Sequence, residues 1–328
     1  MTGGAGYLGS RVVAHLLARG HKVRVFDRLL YGGEALLALG AFPNLTVEAG
    51  DIRDQAALRH AMAMADAVIH LAGIVGEDAC QCDPAFSWSV NHDAVPGLIR
   101  GAEEAKIARI VAISTCSNYG VAEPNVEVGE DAPLNPLSAY ARAKIATERM
   151  LLEADRLPCV TVLRLGTICG LSARMRFDLL VNEMARDAAF GREIEIYAPA
   201  AWRPFLHIAD AAEAMERVLT ADAGAVNRAI FNVVGENRQK TGLLDIARTL
   251  FPELRAKIVD RRPDLRDYRV SGQRFTDRLG FRPSVTVADA FGEVAAAVRD
   301  GRFRDPDWKG HSAVPFGGFP ATGRPTAA

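Results

Sequence analysis

The chain opens on its glycines. Thr2-Gly3-Gly4-Ala5-Gly6-Tyr7-Leu8-Gly9 stands directly before an apolar helical stripe of Leu8, Val12, Val13, Leu16 and Leu17 that stops at Gly20. Small residues let a backbone approach a pyrophosphate, and a helix N-terminus meets it with free N–H groups and positive potential. A β-branched run, Lys22–Phe26, follows and ends in Asp27, 18 residues beyond Gly9. That is the place of an acid on the 2′-hydroxyl of an adenosine ribose. A carboxylate there repels a 2′-phosphate, so the cofactor expected is NAD. Gly3, Gly6, Tyr7, Leu8, Gly9 and Asp27 are its first candidate contacts. In a doubly wound fold such a loop follows a central strand. A strand needs about five or six residues, and only Met1 precedes Thr2. The expectation is that this first strand is truncated and that the native start lies upstream.

The rest of the first half alternates. Strand-like runs lie at Leu45–Val47, Ala67–Leu71, Ile110–Ser114 and Val160–Leu165. Helical patterns lie between them at Tyr7–Arg19, Ala56–Met64 and Phe86–Ala105, the last kinked or broken by Pro96. Strands separated by helices imply right-handed crossovers and a parallel sheet covered on both faces. The fold expected is α/β: a Rossmann-type doubly wound domain over residues 1–170, its sheet completed by parts of 204–235. Residues 171–328 form mainly a smaller mixed α/β lobe that binds substrate. From Gly301 the chain is rich in Gly, Pro and Ala without periodicity, so an irregular tail is expected.

Charge and cysteine usage exclude other classes. Lys plus Arg number 39 against 40 Asp plus Glu, too balanced for a nucleic-acid footprint or a polybasic membrane patch. No run of 18 apolar residues offers a spanning helix. The N-terminus has no charged leader followed by an apolar stretch, and the cytoplasm is the expected compartment. Five cysteines, at 80, 82, 116, 159 and 169, are too few and too odd for a disulfide framework. Cys80 and Cys82 lack a second ligand pair at zinc spacing, so no metal is expected.

Tyr140-Ala-Arg-Ala-Lys144 places a phenol and an ammonium on one helix face. A cation beside a phenol favours the phenolate, which suits Tyr140 to acid–base work. Thr115 lies 25 residues earlier, closing an apolar strand. A hydroxyl at a strand's carboxyl end and a Tyr/Lys pair on the next helix can converge on one substrate hydroxyl.

On these residues the chain resembles the extended short-chain dehydrogenases/reductases, in particular the NAD-dependent nucleotide-sugar epimerase/dehydratase group. The resemblance rests on Thr2–Gly9, Asp27, Gly50-Asp51-Ile52, His70-Leu71-Ala72-Gly73, Asn91, Ser114-Thr115 with Tyr119-Gly120, Tyr140/Lys144, Arg164 and the run from Arg203 to His207 and Asp210. It implies that Asp51 and Ile52 border the adenine, and that Leu71, Ala72 and Gly73 line the dinucleotide. Asn91 becomes a cofactor-side or structural residue. Thr115 would hydrogen-bond the reacting sugar hydroxyl, Tyr140 move its proton, and Lys144 hold the nicotinamide ribose. Thr167, Asn182, Arg203 and Arg262 would face the nucleotide sugar, with Asp264 and Arg266 in a run of the same type. His70 and His207 read as organising residues, and Glu148 and Arg149 as a solvated helix face.

Two departures matter. The group's 4,6-dehydratases carry Asp-Glu directly after the catalytic Thr, whereas here Cys116 and Ser117 follow. Where many relatives have Asn, this chain has Thr167. The resemblance therefore implies a 4-epimerase of a nucleoside-diphosphate sugar, with a 4-keto nucleotide-sugar reductase as the enzyme alternative. A non-catalytic dinucleotide sensor is the alternative of another class. It also implies a homodimer, paired through helices near Ala94–Ala105 and Tyr140–Glu153.

Overall fold

The alternating pattern folds into a parallel sheet between two layers of helices. The computed structural model describes residues 1–123, 126–259, 265–303, 305–307, 309–315 and 319. In chain order the main elements are α1 (Tyr7–Ala18), β1 (Val23–Asp27), β2 (Leu45–Ala49), α2 (Gln55–Met62), β3 (Ala67–His70), α3 (Val95–Glu104) and β4 (Arg109–Thr115). Then come α4 (Ala139–Leu152), β5 (Val160–Leu165), β6 (Thr167–Cys169), α5 (Leu180–Ala189), β7 (Trp202–His207) and α6 (Ile208–Thr220). The last are β8 (Ala229–Val233), β9 (Glu236–Gln239), α7 (Lys240–Leu250) and α8 (Val287–Arg299).

β1 pairs with β2, and β3, β4, β5 and β8 pair in that order, all parallel. Thr2 joins the two groups, bridging Phe26 of β1 on one side and His70 of β3 on the other. Phe26 N donates to Met1 O at 2.8 Å, Thr2 N to Ile69 O at 3.1 Å and Leu71 N to Thr2 O at 3.1 Å. Strand β5 is buried along its whole length, as a central strand covered on both faces must be.

The part of 204–235 that joins this sheet is β8, which pairs with β5. β7 leaves the main sheet and forms a three-stranded one, parallel to β6 and antiparallel to β9. The lobe carries its own core, in which Met175, Phe177, Val181, Met184, Phe205, Leu243, Phe291 and Val294 pack together. The long helical pattern over Phe86–Ala105 is broken as Pro96 requires. A turn over Pro84–Trp88 is followed by a π-type turn, Ser89–Asp93, and α3 begins afresh with Pro96 in its first turn. Among the described residues after Gly301 the one regular element is a 3-10 turn, Lys309–His311, yet 310–315 lie against the protein rather than away from it, and Ala313 is buried.

Candidate active site

The loops leaving the carboxyl ends of β1, β3 and β4 meet at one edge of the sheet, where ligands of such sheets bind. The loop fits there because its glycines, Gly3 and Gly9 above all, carry no side chains. Gly3 has φ +76°, and a Cβ on it would lie 2.6 Å from Ala72 N; one on Gly9 would lie 2.1 Å from Gly3 O. Substitution at Gly3 would drive the loop off the Leu71–Ala72 turn, and at Gly9 would force the helix off the loop's own backbone at Gly3 and Gly4. Gly6, at the start of α1, has no side-chain cap, so the helix presents its first amides outward. Asp27 accepts Ala5 N at 2.9 Å and Leu29 N at 2.8 Å. Burial raises its pKa, and those two amides oppose the rise. It thus braces the glycine loop from the end of β1.

Asp51 lies beyond β2, paired with Arg53 at 2.6 Å and Arg28 at 3.5 Å. Burial alone would raise its pKa, but the Arg53 hydrogen bonds and the two guanidinium charges more than offset that, and the carboxyl sits below its usual value. Ile52 is buried and Leu71, Ala72 and Gly73 are half-buried. Asn91 stands beside Gly73 and holds the turn that follows it. Its amide accepts from Ile74 N at 2.8 Å and donates to Ile74 O at 2.9 Å, which fixes the turn after Gly73. A Cβ on Gly73 would lie 3.7 Å from Lys144 Nζ, so this turn and the Tyr/Lys helix share one space. Bare glycines, an uncapped helix start and a lysine at the same opening fit a dinucleotide.

Thr115 ends β4. Its hydroxyl accepts Ser117 N at 3.1 Å, capping the short 3-10 turn Cys116–Tyr119, and donates to Ser117 Oγ at 3.0 Å. Lys144 reaches back from α4 to Ile113 O at 2.9 Å, two residues before Thr115. Its ammonium is 5.9 Å from the Tyr140 ring centroid. The expected pull of Lys144 on the phenol does not dominate. Burial pushes Tyr140 above its usual pKa, with Arg176 the charge that opposes it. Burial also lowers Lys144 to about 8, against the pull of Glu148. Tyr140 rests here as a neutral phenol that holds its proton.

Several expected ligand contacts are spent inside the protein. Asn182 is fully buried; it accepts Gly170 N at 3.0 Å and donates to Tyr7 OH and Arg176 O, each at 3.0 Å. Tyr7 OH in turn donates to Gly170 O at 2.6 Å. These two residues fasten the lobe to the glycine-loop helix, a tie that spacing alone does not reveal. Arg203 is buried in β7, with its Nη1 on the carbonyls of Trp202 and Arg266 and its guanidinium 5.8 Å from the Tyr268 ring. Thr167 is half-buried in β6, paired with Phe205. Arg262 and Asp264 lie outside the described residues. His207 caps α6 through Ala209 N at 3.2 Å and meets Glu293 at 2.8 Å. His70 shares a 2.8 Å hydrogen bond with Thr2, and burial lowers its pKa to about 3.

Glu148 corrects the sequence reading. It is buried rather than solvated, and Arg164 grips it through Nη2 at 2.7 Å and Nε at 3.0 Å. Asn118 donates to it at 2.8 Å and Ser114 also bonds it. The network lies directly beneath Thr115. A separate cluster on the outer face holds His15, Glu213 and Glu216, but cations and imidazoles already occupy its carboxylates. Arg19 and Arg217 bond Glu213, while His15 and His21 bond Glu216. It ties α1 to α6.

Comparison with known proteins gives the family and the fold. The profile of the NAD dependent epimerase/dehydratase family matches residues 1–234. A dTDP-glucose 4,6-dehydratase of Streptomyces griseus is 29% identical over 334 residues, covering 98% of both chains. A UDP-glucose 4-epimerase of Streptomyces lividans is 31% identical over 234 residues, 65% of this chain and 69% of the relative. A dTDP-glucose 4,6-dehydratase of Streptomyces venezuelae, solved with NAD bound, superposes with a TM-score of 0.81 at 26% identity, covering 95% of this chain and 98% of its own.

Proposed function

Because the chain belongs to the NAD-dependent epimerase/dehydratase family, we propose that it epimerises a nucleoside-diphosphate sugar at C4. NAD is the cofactor; bound, it accepts a hydride from the sugar and returns it. Tyr140 would take the C4 hydroxyl proton and give it back, and Thr115 would hold that hydroxyl. Lys144, whose ammonium shares the space of Gly73, would bind the ribose and make loss of the phenolic proton easier. The 4-keto sugar would then turn over in the lobe before reduction on its other face.

The carrying observation is the pair after Thr115. Dehydration across C5–C6 needs an acid for the leaving hydroxyl. Cys116 instead is buried, donates its thiol proton to Arg164 O at 3.3 Å, and burial holds its pKa well above the usual thiol value. Ser117 is no acid either. A 4,6-dehydratase remains the second reading, favoured by the full-length match to the Streptomyces griseus enzyme. A 4-keto-sugar reductase would share Thr115, Tyr140 and Lys144.

Substrate deuterated at C4 and incubated without added NADH separates the three. Epimerisation returns the label to C4 of the epimer, dehydration moves it to C6 of a 4-keto-6-deoxy product, and a reductase gives no turnover. UDP-, dTDP-, GDP- and CDP-sugars form the panel. Tyr140→Phe should lower turnover by about 10²–10⁴-fold while NAD stays bound; unchanged output from that variant would instead mark a dinucleotide sensor. Pairing of two copies through α3 and α4 belongs to the same reading, and sedimentation tests it. Among the described residues no helix is long and apolar enough to cross a membrane.

A further inference from the structure

Residues 310–315 bind both halves of the molecule. On the lobe side, His311 O accepts Phe177 N at 2.9 Å, and Ala313 N donates to Asp178 at 3.1 Å. Arg174 donates to Gly310 O at 3.2 Å and Ser312 O at 2.5 Å. On the sheet side, Tyr31 OH donates to Ala313 O at 2.7 Å. Tyr31 stands four residues beyond Asp27. The Arg174 guanidinium lies 4.1 Å over the Tyr31 ring, so the two anchors also touch each other. Ala313 is buried, and its Cβ is 3.9 Å from the point where a side chain on Gly76 would begin. Gly76 follows Gly73 by three residues. Farther on, Phe319 packs on Phe86 with ring centroids 5.1 Å apart, and the guanidinium groups of Arg28 and Arg53 lie over that same Phe86 ring.

The segment therefore rests on the loops behind β1 and β3, which carry Asp27 and Gly73, while being held by the lobe. We propose that residues 310–315 form a strap across the dinucleotide cleft, which must lift for NAD to enter or leave. Tyr31 and Arg174 are its latch. The two sides are unequally held. Arg174, Asp178 and Phe177 fix it to the lobe through four hydrogen bonds, whereas on the sheet side Tyr31 supplies one, backed by the apolar seats of Ala313 and Phe319. Opening should release the sheet side and pivot on the lobe. The strap deepens the proposed function in one respect: hydride returned to its own substrate calls for a cofactor that stays between turnovers. The inference itself rests on bound NAD and not on the identity of the sugar.

The measurement is release of NADH from the loaded protein, followed by loss of its fluorescence during a chase with excess NAD. Tyr31→Phe removes only the latch hydroxyl and should speed release about fivefold, the worth of one hydrogen bond of about 1 kcal/mol. A chain ending at residue 308 should release faster still. Hydrogen exchange at the amides of 310–314 should slow when NAD is bound. If the shortened chain does not fold, Tyr31→Phe and Phe319→Ala decide the matter. Unchanged release in those two folded variants, or exchange at 310–314 indifferent to NAD, overturns the strap. Failure to find a sugar product would sink the epimerase reading and leave this assay intact.

Discussion

Lys144 and Glu148 stand one turn apart on α4, both buried, and the protein treats them in opposite ways. Glu148 is paired with Arg164 and surrounded by donors from Ser114 and Asn118. Lys144 faces the ligand edge with a backbone carbonyl as its hydrogen-bond acceptor. A buried charge costs several kcal/mol unless it is paired and hydrogen-bonded. Glu148 has that cost offset, and it supports the strand end that carries Thr115. Lys144 does not, and its pKa falls to about 8, near the pH at which it would work. One helix thus carries a charge built to stay fixed and a charge left responsive.

Two substitutions can break this contrast. Glu148→Ala should cost about 3–5 kcal/mol of stability, because it leaves the Arg164 guanidinium buried without its partner. Urea unfolding reads that loss directly. Lys144→Met should cost little or even stabilise, since it removes an unpaired buried charge, while turnover falls about 10²–10³-fold. If Lys144→Met destabilises as much as Glu148→Ala, the ammonium is structural and the contrast fails.

The responsive half was readable in the sequence and the fixed half was not. Tyr140, Lys144 and Thr115 announce themselves by chemical type and spacing, and the glycine loop by its glycines before a helix. Glu148 also lies at i+4 on that helix, but the same spacing describes a solvated face. Burial comes from β4 and β5 packing over it, contacts of long sequence separation that local periodicity does not carry. Asn182 and Arg203 match a motif, yet their polar groups turn inward to Tyr7, Gly170 and the 266 carbonyl. Arg176 opposes the rise in Tyr140 from a segment with no periodic signal at all. The tail after Gly301 likewise reads as irregular, and its anchors on Tyr31 and Arg174 appear only in three dimensions.

The pH dependence sharpens the comparison at smaller scale. Lys144 titrates near 8 in the folded protein and near its usual 10.5 when unfolded. Between those values the unfolded chain binds the extra proton, so this group makes stability rise with pH by up to about 1.4 kcal/mol per unit. The buried thiols of Cys116 and Cys169, held above their usual values by burial, act in the opposite direction above about pH 9. The quantity to measure is therefore the difference between wild type and Lys144→Met, by urea unfolding at pH 8, 9 and 10. That difference should move in favour of wild type as pH rises, while wild-type turnover falls through pH 8 as the ammonium is lost. A flat difference would mean that Lys144 keeps an ordinary pKa.

The smallest effect tests whether Glu148 is over-supported. Ser114→Ala removes one of its donors, but Arg164 and Asn118 still hold the carboxylate, and Asn118 keeps Glu148 as an acceptor. The substitution leaves no further buried group without a partner, so the loss should be that of one ordinary hydrogen bond, about 1 kcal/mol. Calorimetric unfolding of Ser114→Ala and of its double mutant with Glu148→Ala closes the cycle. Redundant support requires the hydroxyl's contribution to vanish once the carboxylate is gone. An equal loss in both backgrounds would show that Ser114 stabilises the strand end by itself, and that the fixed charge of α4 rests on Arg164 and Asn118 alone.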